Sequence, residues 1–574
     1  MSRVGERQRL DGRPTSSMQS AVLRWLLPVR RLYWHLMNRD ETFPAIIFTD
    51  DGWIMASPPP LTAQDLREKI VASYADTAGA LGWSIGDHEV YQCELESGEP
   101  FGEYVAGLDG STNSFVHSAT PGAEERIAHN LQTLIAADEG PLTVLAADCR
   151  RRGIPFFPRV RMNSHYVIDP AHPGYGRFRR ERPNLLIGRP GERLPEGSLE
   201  WAIRTGKDYA FAEVRQYMET VICETFECFD VDGVELDFMR HPGWFRIEEA
   251  QANAYLMTDL VRRVRSRLRA RESARGRRQW LIVRVPPTLA DSLRTGLDVT
   301  AWIDEDLVDI VVVGGGFIPF ETPVAEFVEA ARGCDCRIYG CIEATRYIDD
   351  RHLRALASRW YEDGADGVYL YNFYTMSRNW NGRIFAELAE PERMARHDKI
   401  YGTDSAGPVS PVEGHSGGFR YASPSTQLPV TLQPDFQGVG PCIVVRVTDD
   451  LAQALNEKAI DSCTLAMRLS SQDSSTVADH HRLEVALNGE PLPWEQARVQ
   501  VGGWSRLQIS PLFWADYPTY PQSVEQETTL VEFDVSAPPL RHGVNKVEIG
   551  LASTESEPLV VEGVEICITY KEQG

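Results

Sequence analysis

Short apolar segments alternate with longer helical patterns along the first 377 residues of this chain, and this alternation limits the fold more than any other feature. The apolar segments are rich in Val, Ile, Phe and Tyr, as buried parallel strands are. We predict strands at 45–50, 89–94, 154–161, 233–238, 280–285, 308–313, 337–343 and 367–373. Eight strands that alternate with helices predict a closed (β/α)8 barrel of the α/β class.

Helical patterns fill the segments between most of these strands. Thr62 is the expected N-cap of the first helix. No GxGxxG sequence follows the first strand, and the run Gly314–Gly316 lacks the spacing and the lysine of a phosphate-binding loop. We therefore interpret that run as a turn after the sixth strand, and we predict no cofactor. The helices are predicted at 61–81, 123–152, 209–229, 248–271, 323–332 and 350–362.

The sequence changes character after the barrel, which we place at 44–389. Residues 390–430 are polar and rich in Pro and Gly, which predicts a linker or an extended wrapping segment. Short alternating segments follow, and Asn488-Gly489 among them is a hairpin signal. They predict an all-β sandwich or jelly roll over 431–574. Because its acids are dispersed, we expect a separable accessory domain without catalysis, and we favour packing against the barrel over sugar binding as its role.

Residues 1–43 are interpreted as a leader that contains one short amphipathic helix. The apolar run at 21–37 is interrupted by arginines, whereas a secretory signal has an uninterrupted apolar core. No run of about 18 apolar residues occurs, so we expect no transmembrane helix. The ten cysteines show no metal-ligand spacing and fit reduced, buried thiols. These features favour a soluble cytoplasmic protein and leave secretion and the oligomeric state open.

Length and charge limit the partners. A chain of 574 residues with 43% hydrophobic content is long enough for two or three domains. Its formal net charge is −23. Such an acidic balance disfavours nucleic acid and anionic membranes as partners. It places little restriction on an uncharged ligand such as a carbohydrate.

Residues 231–242, VDGVELDFMRHP, contain a predicted apolar strand and the polar residues that follow it. Alternate side chains of a strand share a face, so Glu235 and Asp237 point one way and the intervening apolar residues point the other way. Two acids on a buried strand are costly unless the strand ends at a hydrated site. Arg240 and His241 follow at once, which is typical of a catalytic rim. The alternatives are an ion pair of Asp237 with Arg240 that caps the strand, and a simple hydrogen bond from His241 to Asp237.

In barrel enzymes the chemistry lies at the carboxyl ends of the strands. Three residues at these ends, Asp51, Asn163 and Asn372, have an alternative role as turn or cap residues. Arg161 and Arg284 either lower the pKa of an acid or bind a substrate carboxylate. The full predicted substrate-binding set is Asp50, Asp51, Trp53, Arg161, Asn163, His165, Arg240, His241, Arg284, Asn372 and Tyr374.

Tryptophans and one long loop are expected on the same face. Trp53, Trp244 and Trp380 lie in or near the loops after the first, fourth and eighth strands. Each of them either stacks on a sugar ring or packs in the core, and the sequence does not separate these roles. The loop at 163–208 is long and basic, which is typical of a lid or a binding loop.

Two acids, Asp237 and Glu343, end strands on opposite sides of the predicted barrel. Glycoside hydrolysis needs two carboxyl groups, one protonated and one ionised. Arg240 and His241 are expected to hold Asp237 ionised, as nucleophile or base. The apolar neighbours of Glu343 favour its protonated form, as general acid. Glu235 is the third catalytic candidate, and we expect the three acids to share one pocket at the barrel mouth.

Three stretches of the barrel resemble a known family. They are VDGVELDFMRHP at 231–242, LRTGLDVTAWIDEDLVDIVVVGG at 293–315 and RVPPT at 284–288. On these stretches, residues 44–385 are similar to bacterial glycosyl-hydrolase-like barrel proteins of the family-ten-like glycosyl hydrolase group. The resemblance implies a TIM barrel that acts on a glycan, and it fixes neither the substrate nor the catalytic residues.

The same fourth strand also looks like that of α-amylase-type barrels. In those barrels the residue that matches Asp237 is a nucleophile, and the last two residues of DGVELDFMRH bind substrate. This chain has Glu235 where arginine is expected and lacks the fifth-strand glutamate of that family. The chitinase pattern fails as well, because Met239 stands where its acidic glutamate would be. We adopt neither assignment.

The sequence thus predicts a glycoside hydrolase that cleaves O-glycosyl bonds in a poly- or oligosaccharide. The first alternative is a barrel that binds a glycan without cleaving it. The second is a metal-dependent hydrolase that uses Asp50, Glu235, Asp237 and His241. The chain has no HxH pair at the first strand, and this argues against the metal-dependent alternative. We therefore predict no metal site.

Overall fold

The computed structural model describes most of the chain from residue 43 onward. Within the described residues the chain forms a closed barrel of eight parallel strands, followed by antiparallel sheets. The predicted fold class is therefore confirmed. The described ranges are 43–74, 79–86, 90–101, 122–165, 167–343, 349–373, 378–404, 421–422, 426–433, 440–471, 483–508, 522–551 and 558–571.

Each barrel strand pairs in parallel with the next, and the eighth pairs with the first. Seven of the predicted strands are confirmed to within about two residues of these bounds. The turn predicted after the sixth strand is also present, with Gly314 and Gly316 at positive φ. The strands are β1 Ile46–Asp50, β2 Ala80–Ser84, β3 Phe156–Arg161, β4 Gly233–Asp237, β5 Trp280–Val285, β6 Ile310–Val313, β7 Arg337–Glu343 and β8 Gly367–Tyr371.

The second strand is the one strand of the barrel that the sequence misplaces. We expected it at 89–94, but β2 is Ala80–Ser84, a segment assigned in part to the preceding helix. Ala80–Ser84 is fully buried, and its pairing with both β1 and β3 outweighs the helical propensity of Ala and Leu. Gly82 makes the fit possible, because a Cβ there would lie 2.7 Å from Thr49 Cγ2. Tyr91, in the expected strand, forms an isolated bridge to Pro100.

Helices surround the barrel in the predicted order. Thr62 caps the first of them in a capping box with Asp65, as expected, and a π-helical segment, Leu66–Val71, continues it. The α-helices of the described residues are α1 Ala63–Asp65, α2 Ala72–Tyr74, α3 Ala123–Ala136, α4 Pro141–Arg152, α5 Arg177–Glu181, α6 Leu199–Ile203, α7 Ala212–Glu227, α8 Ala254–Arg275, α9 Leu289–Arg294, α10 Val299–Asp304, α11 Val324–Ala330, α12 Asp350–Glu362, α13 Arg378–Leu388, α14 Pro391–Met394 and α15 Leu451–Asn456.

The alternation of side chains along the barrel strands gives two cores, one outside the strands and one inside the barrel. Val234, Leu236 and Phe238 belong to the large cluster between strands and helices. A second cluster, which includes Tyr369 and Tyr371, lies on the opposite face of the strands and fills the lumen. The acids of β4 lie on this luminal side, as the alternation predicts. The lumen is apolar near its amino end and charged near its carboxyl end.

The antiparallel strands after the barrel form one six-stranded, one four-stranded and one two-stranded sheet. The predicted hairpin is confirmed: Asn488 and Gly489 have φ angles of 54° and 86° between two paired strands. The strands are β9 Lys399–Tyr401, β10 Val430–Leu432, β11 Cys442–Val447, β12 Ile460–Ser471, β13 Leu483–Leu487, β14 Glu490–Leu492, β15 Arg498–Val501, β16 Trp504–Gln508, β17 Gln522–Gln526, β18 Thr529–Asp534, β19 Gly543–Leu551 and β20 Leu559–Tyr570.

Strand pairing and buried side-chain contacts connect the barrel to the antiparallel sheets, which we call the β-domain. The segment predicted as a linker at 390–430 contains α14 and β9, and β9 pairs with β20. Arg506 of the β-domain reaches α12, where its Nη2 lies 2.6 Å from His352 Nε2 and 2.7 Å from Glu565 Oε1. All three side chains are largely buried. The β-domain therefore supports the barrel helix that follows β7, and its separability stays a prediction.

All ten cysteines lie in the described part of the chain and are free thiols, six of them buried. Among the helices that the structure describes, none is both long and apolar enough to cross a membrane. The leader at 1–43 lies almost wholly outside the described residues.

Packing between β7 and α12 predicts a sensitive position. Gly340 faces Trp360, and a Cβ at Gly340 would lie 2.3 Å from the indole ring. We expect Gly340→Ala to lower the free energy of unfolding by about 1–3 kcal/mol through overpacking. Gly550→Ala is the control, because its Cβ would meet nothing closer than 3.9 Å. Urea unfolding followed by tryptophan fluorescence measures both. Equal effects of the two substitutions would contradict the packing described here.

Candidate active site

Strand register brings the predicted site residues together at the carboxyl end of the barrel. Arg161 of β3 pairs with Asp237 of β4, which in turn pairs with Arg284 of β5. Across the barrel, Glu343 of β7 pairs with Tyr371 of β8. All five side chains are buried. The strand ends therefore form one charged layer that closes the top of the lumen, and we call this layer the mouth.

Asp237 is the most constrained acid of the mouth. Its carboxylate accepts two hydrogen bonds from Arg284, Nε to Oδ1 at 3.0 Å and Nη2 to Oδ2 at 2.9 Å. The backbone N–H groups of Met239 and Arg240 also donate to Oδ1, at 2.9 and 3.0 Å. Burial raises the pKa of Asp237, but the Arg284 and Arg159 guanidinium groups outweigh this and lower it below its ordinary value. Asp237 is therefore ionised at neutral pH.

The cation that holds Asp237 ionised differs from our expectation. We expected Arg240 and His241 in this role, and the alternative interpretation paired Asp237 with Arg240. The bidentate partner is Arg284 instead, and the guanidinium of Arg240 lies near Glu343. The reason is geometric: Arg284 stands beside Asp237 in the paired strand, whereas the chain turns at Asp237 and carries the Arg240 side chain across the mouth.

Asp51 anchors the other side of the mouth. Its Oδ1 pairs with Arg159 and, at 2.8 Å, with Arg161 Nη2. Tyr371 donates its hydroxyl to Oδ1 at 3.1 Å, and Asn372 Nδ2 donates to Oδ2 at 2.9 Å. Burial raises the pKa of Asp51, and the two arginines lower it by more, so the net direction is downward. Asn372 makes this contact from a left-handed backbone, φ 62°, which asparagine tolerates better than most residues.

Two glutamates of the mouth have raised pKa values, in contrast to the two aspartates. Glu235 accepts a hydrogen bond from the Tyr369 hydroxyl at 2.6 Å. Glu343 has its Oε1 3.4 Å from Arg240 Nη1. The Oε2 atoms of both glutamates are buried without a hydrogen-bond partner among the described atoms. Burial raises the pKa of each to about 7, against the opposing effects of Arg159 on Glu235 and of Arg240 on Glu343.

The three predicted catalytic acids thus lie on the luminal side at one end of the barrel. Asp237 and Glu343 interact with the same Arg284 guanidinium, and Glu235 interacts electrostatically with Asp237. Asp237 is ionised and the two glutamates are protonated below about pH 7. One buried layer therefore contains both a proton donor and an anionic carboxylate.

A small apolar cluster borders the mouth beside Arg240, and we call it the apolar cover. It consists of Met239 after β4, the partly buried Phe317 after β6, and Ala422. The Arg240 guanidinium lies over the Phe317 ring, 5.6 Å from its centroid. Ala422 and its neighbour Tyr421 come from the segment predicted as a linker. The rest of 405–425 lies outside the described residues, so the wrapping segment stays a prediction.

Other predicted binding residues support the loops instead of facing the acids. Asn163 donates to the carbonyls of Lys207 and Gly243, at 3.0 and 2.8 Å. The backbone N–H of His165 donates to His241 Nδ1 at 3.1 Å. Burial, and secondarily Arg179, lowers the pKa of His165 to about 3. These contacts tie the two ends of the long loop at 163–208 to each other and to the turn after β4.

The aromatic and first-strand predictions have mixed outcomes. Trp244 is fully buried and packs edge-on against Phe238 at 5.4 Å, which is the core-packing alternative. Trp53 is partly buried against the outer core. Asp50 Oδ1 accepts from the Gly52 N–H at 2.7 Å and shapes the turn after β1. Tyr374 and the side chain of Trp380 lie outside the described residues.

The sequence prediction missed two residues of the mouth, Tyr369 and Tyr371. Both lie on the luminal face of β8 and bond to Glu235 and Asp51. Arg159, which shares the luminal face of β3 with Arg161, was also left out of the predicted set. Strand parity was the available signal, because these residues alternate with apolar residues that point outward.

In the part of the chain that the structure describes, no group of three or more His, Cys, Asp or Glu side chains could hold a metal ion. The donor set of the metal-dependent alternative, Asp50, Glu235, Asp237 and His241, is therefore not assembled there. A surface cavity of about 430 Å³ lies elsewhere, against α5 and α7, and its lining includes Glu99, Phe178 and Tyr217 but no predicted site residue.

Comparison with known proteins gives no family. No family model matches the chain, and no curated protein matches it. Similar solved structures include a cycloisomaltooligosaccharide glucanotransferase from Paenibacillus sp., at 8% identity and TM-score 0.30, over 91% of this chain and 57% of that one. The chain thus spans little more than half of that protein.

Two further similar structures are matched over nearly their whole length. One is the maltogenic alpha-amylase AmyB from Thermotoga neapolitana, at 10% identity and TM-score 0.36, over 87% of this chain and 98% of that one. The other is a glycoside hydrolase family 18 N-acetylglucosaminidase from Paenibacillus barengoltzii, at 11% identity and TM-score 0.34, over 60% and 99%. At such TM-scores these likenesses carry no argument about activity, and the family-ten-like grouping stays a prediction.

The raised pKa of Glu343 predicts a pH-dependent stability. Because its pKa is about 7 in the folded protein and near 4.5 ordinarily, the folded state holds a proton that the unfolded state has released between these values. The free energy of unfolding should therefore fall as pH rises from about 4.5 to 7. Glu343→Gln should remove roughly 3 kcal/mol of this fall, as measured by urea unfolding at several pH values. Parallel curves for the variant and the unmodified protein would contradict the assignment.

Proposed function

We propose that this protein is a glycoside hydrolase that cleaves O-glycosyl bonds of an oligo- or polysaccharide at the mouth. One observation carries the proposal: Asp237 and Glu343 lie in the same buried layer with pKa values shifted in opposite directions. Acid–base hydrolysis of a glycosidic bond requires such a pair, one carboxyl protonated and the other ionised.

Glu343 fits the role of general acid. It is the least buried of the three acids, with 4% of its surface exposed, and its Oε2 has no partner among the described atoms. A protonated carboxyl there can donate to the oxygen of the leaving sugar. Its pKa of about 7 lies near neutral pH, where proton transfer by a general acid is most effective.

Asp237 fits the role of the ionised carboxylate, as nucleophile or base. Its negative charge lies where a positively charged transition state develops, and Arg284 with two backbone N–H groups fixes its orientation. Those same bonds occupy both oxygens. A nucleophilic attack would therefore require one bond to Arg284 to lengthen, whereas a base acting through a water requires less rearrangement.

Access to the acids depends on the apolar cover. Met239, Phe317 and Ala422 pack together beside Arg240, and the acids of the mouth are almost fully buried. We infer that a glycan reaches Glu343 when the cover residues separate. Their contact is small and apolar, so this separation costs little compared with unfolding a strand.

The full engagement of Asp237 and Asp51 favours one alternative, a barrel that binds a glycan without cleaving it. Both oxygens of each aspartate accept hydrogen bonds, from arginine, tyrosine, asparagine or backbone groups. Release of reducing ends separates the alternatives. Binding of a glycan without such release, by a protein of full length, would favour the non-catalytic barrel.

Substitution of the two acids tests the proposal. We expect Glu343→Gln and Asp237→Asn each to lower turnover by about 100-fold or more on a glycan that the unmodified protein cleaves. Their effects on stability should differ. Asp237→Asn leaves Arg284 buried without its anion and should lower the free energy of unfolding by about 3–5 kcal/mol. Glu343→Gln replaces a group that is already neutral below about pH 7, so it should change stability much less there.

Reducing-end release and thermal unfolding measure these effects. The control is Glu305→Gln, an exposed acid before β6 that pairs with Arg262 at the opposite end of the barrel. It should leave turnover unchanged. Near-normal turnover in Glu343→Gln would eliminate the proposed pair, and Glu235 would be the next acid to test.

The rate should also depend on pH in a defined direction. Glu343 must carry its proton to act as general acid, so kcat/KM should fall above about pH 7, where that proton is lost. The profile of kcat/KM between pH 5 and 9 measures this limb. A rate that stays constant or rises through pH 8 would exclude Glu343 as the acid.

A further inference from the structure

Four arginine side chains meet at the mouth: Arg159 and Arg161 from β3, Arg284 from β5 and Arg240 from the turn after β4. The side chains of the first three are at most 2% exposed. Burial of a guanidinium group costs several kcal/mol unless an anion compensates it. Recognition of sugar hydroxyl groups does not require such a concentration of cations.

The acids of the mouth neutralise the positive charges of the arginines unevenly. Asp51 and Asp237 form close pairs with Arg161 and Arg284, at 2.8 and 2.9 Å. Glu343 is farther from its arginine, at 3.4 Å. Glu235 accepts its hydrogen bond from a tyrosine hydroxyl. Counted over the described residues, four arginines and two ionised aspartates leave the mouth with more positive than negative charge while the glutamates are protonated.

Arg240 is the arginine that an incoming ligand meets first. Its side chain is 14% exposed, more than those of the other three. The rings of Phe317 and Tyr371 flank the guanidinium, 5.6 and 5.7 Å from their centroids, which restricts its position. Its backbone N–H is fixed on Asp237 Oδ1. The site thus has a positioned cation at its rim, directly beside Glu343.

We propose that the glycan bound at the mouth carries carboxylate groups, as uronic acids do, and that Arg240 binds one of them. This inference deepens the proposed function and rests on it for the cleavage step alone. A carboxylate fits better than a sulfate ester, because the planar guanidinium matches two coplanar oxygens with two parallel hydrogen bonds.

Binding of such a carboxylate would also favour the acid form of Glu343. The ligand would compete for Arg240, which lies 3.4 Å from Glu343 and favours its ionised form. It would also bring a second negative charge close to Glu343, which disfavours ionisation further. The substrate group that is recognised would thus help to keep the general acid protonated.

The acidity of the whole chain does not oppose this assignment. The net charge is −23, but charges farther away than about 8 Å are largely screened at physiological ionic strength. A carboxylate bound by Arg240 would be in direct contact with its guanidinium, well inside that distance. Local charge therefore decides which glycan is retained.

Paired glycans test the inference. Polygalacturonate, alginate, glucuronoxylan and hyaluronan are each compared with their carboxyl-reduced forms, which keep the chain and lose the charge. A neutral β-glucan and a sulfated galactan complete the set.

Calorimetric affinity is measured with Glu343→Gln of full length, and kcat/KM with the unmodified protein. We expect at least one acidic glycan to bind about 10- to 100-fold more tightly than its reduced form, the scale of a lost charge-assisted pair.

Substitution at Arg240 assigns the preference to that residue. Arg240→Gln should remove the preference by weakening the acidic glycan alone. Arg240→Lys keeps the positive charge but loses the planar guanidinium, so it should retain part of the preference. This variant replaces Arg240→Gln in the experiment if Arg240→Gln fails to fold. The matched control is Arg246→Gln in the same connection between β4 and α8, whose arginine pairs with Glu192 at 2.6 Å, and it should retain the full preference.

Equal affinity for every acidic glycan and its reduced form would overturn the inference. So would tighter binding of the sulfated galactan, or an Arg240→Gln variant that weakens both forms equally. A carboxylate preference without cleavage of any glycan would support the inference and contradict the proposed hydrolase. Cleavage of neutral glycans without a carboxylate preference would contradict the inference and support the proposed hydrolase.

Discussion

The ion pair between Asp237 and Arg284 is the interaction on which the mouth depends. Both side chains are completely buried on neighbouring strands, and two parallel hydrogen bonds join them. A buried pair of this kind is retained only when its geometry is good and its remaining hydrogen-bonding groups are satisfied. The turn after β4 meets this requirement with two backbone N–H groups. The same turn carries Arg240 toward Glu343, which β7 holds in place, so the pair also bears on the surroundings of the second proposed acid.

The sequence predicts the parts of this site that strand periodicity controls. The alternation in VDGVELDFMRHP places Glu235 and Asp237 in the lumen, and the strand ends bring Glu343 to the same layer. Periodicity does not tell which cation pairs with which acid, because that depends on register between strands distant in sequence. Arg284 was therefore not recognised as the partner of Asp237. The second strand was misplaced for a similar reason, since tertiary pairing decides the structure of a short Ala- and Leu-containing segment.

The sequence predicts the contact between the barrel and the segments after it only in outline. It favours an accessory domain that packs against the barrel, but single-sequence patterns do not reveal which residues make the contact. In the structure, Ala422 clusters with Met239 and Phe317 of the barrel loops, and Arg506 of the β-domain contacts His352 on the helix that follows β7. These buried contacts join residues that are distant in sequence.

The central claim is that Asp237 is ionised and Glu343 is protonated in the same layer at pH 6. Infrared difference spectra of the protonated carboxyl band, recorded from pH 3 to 9 for the unmodified protein and for Glu343→Gln, test this claim most directly. The account predicts that a protonated carboxyl band persists to about pH 7 and that Glu343→Gln removes part of it. It also predicts that Asp237→Asn leaves this band in place, because Asp237 carries no proton there. Loss of the whole band by pH 5, or no change of the band in Glu343→Gln, would contradict the account.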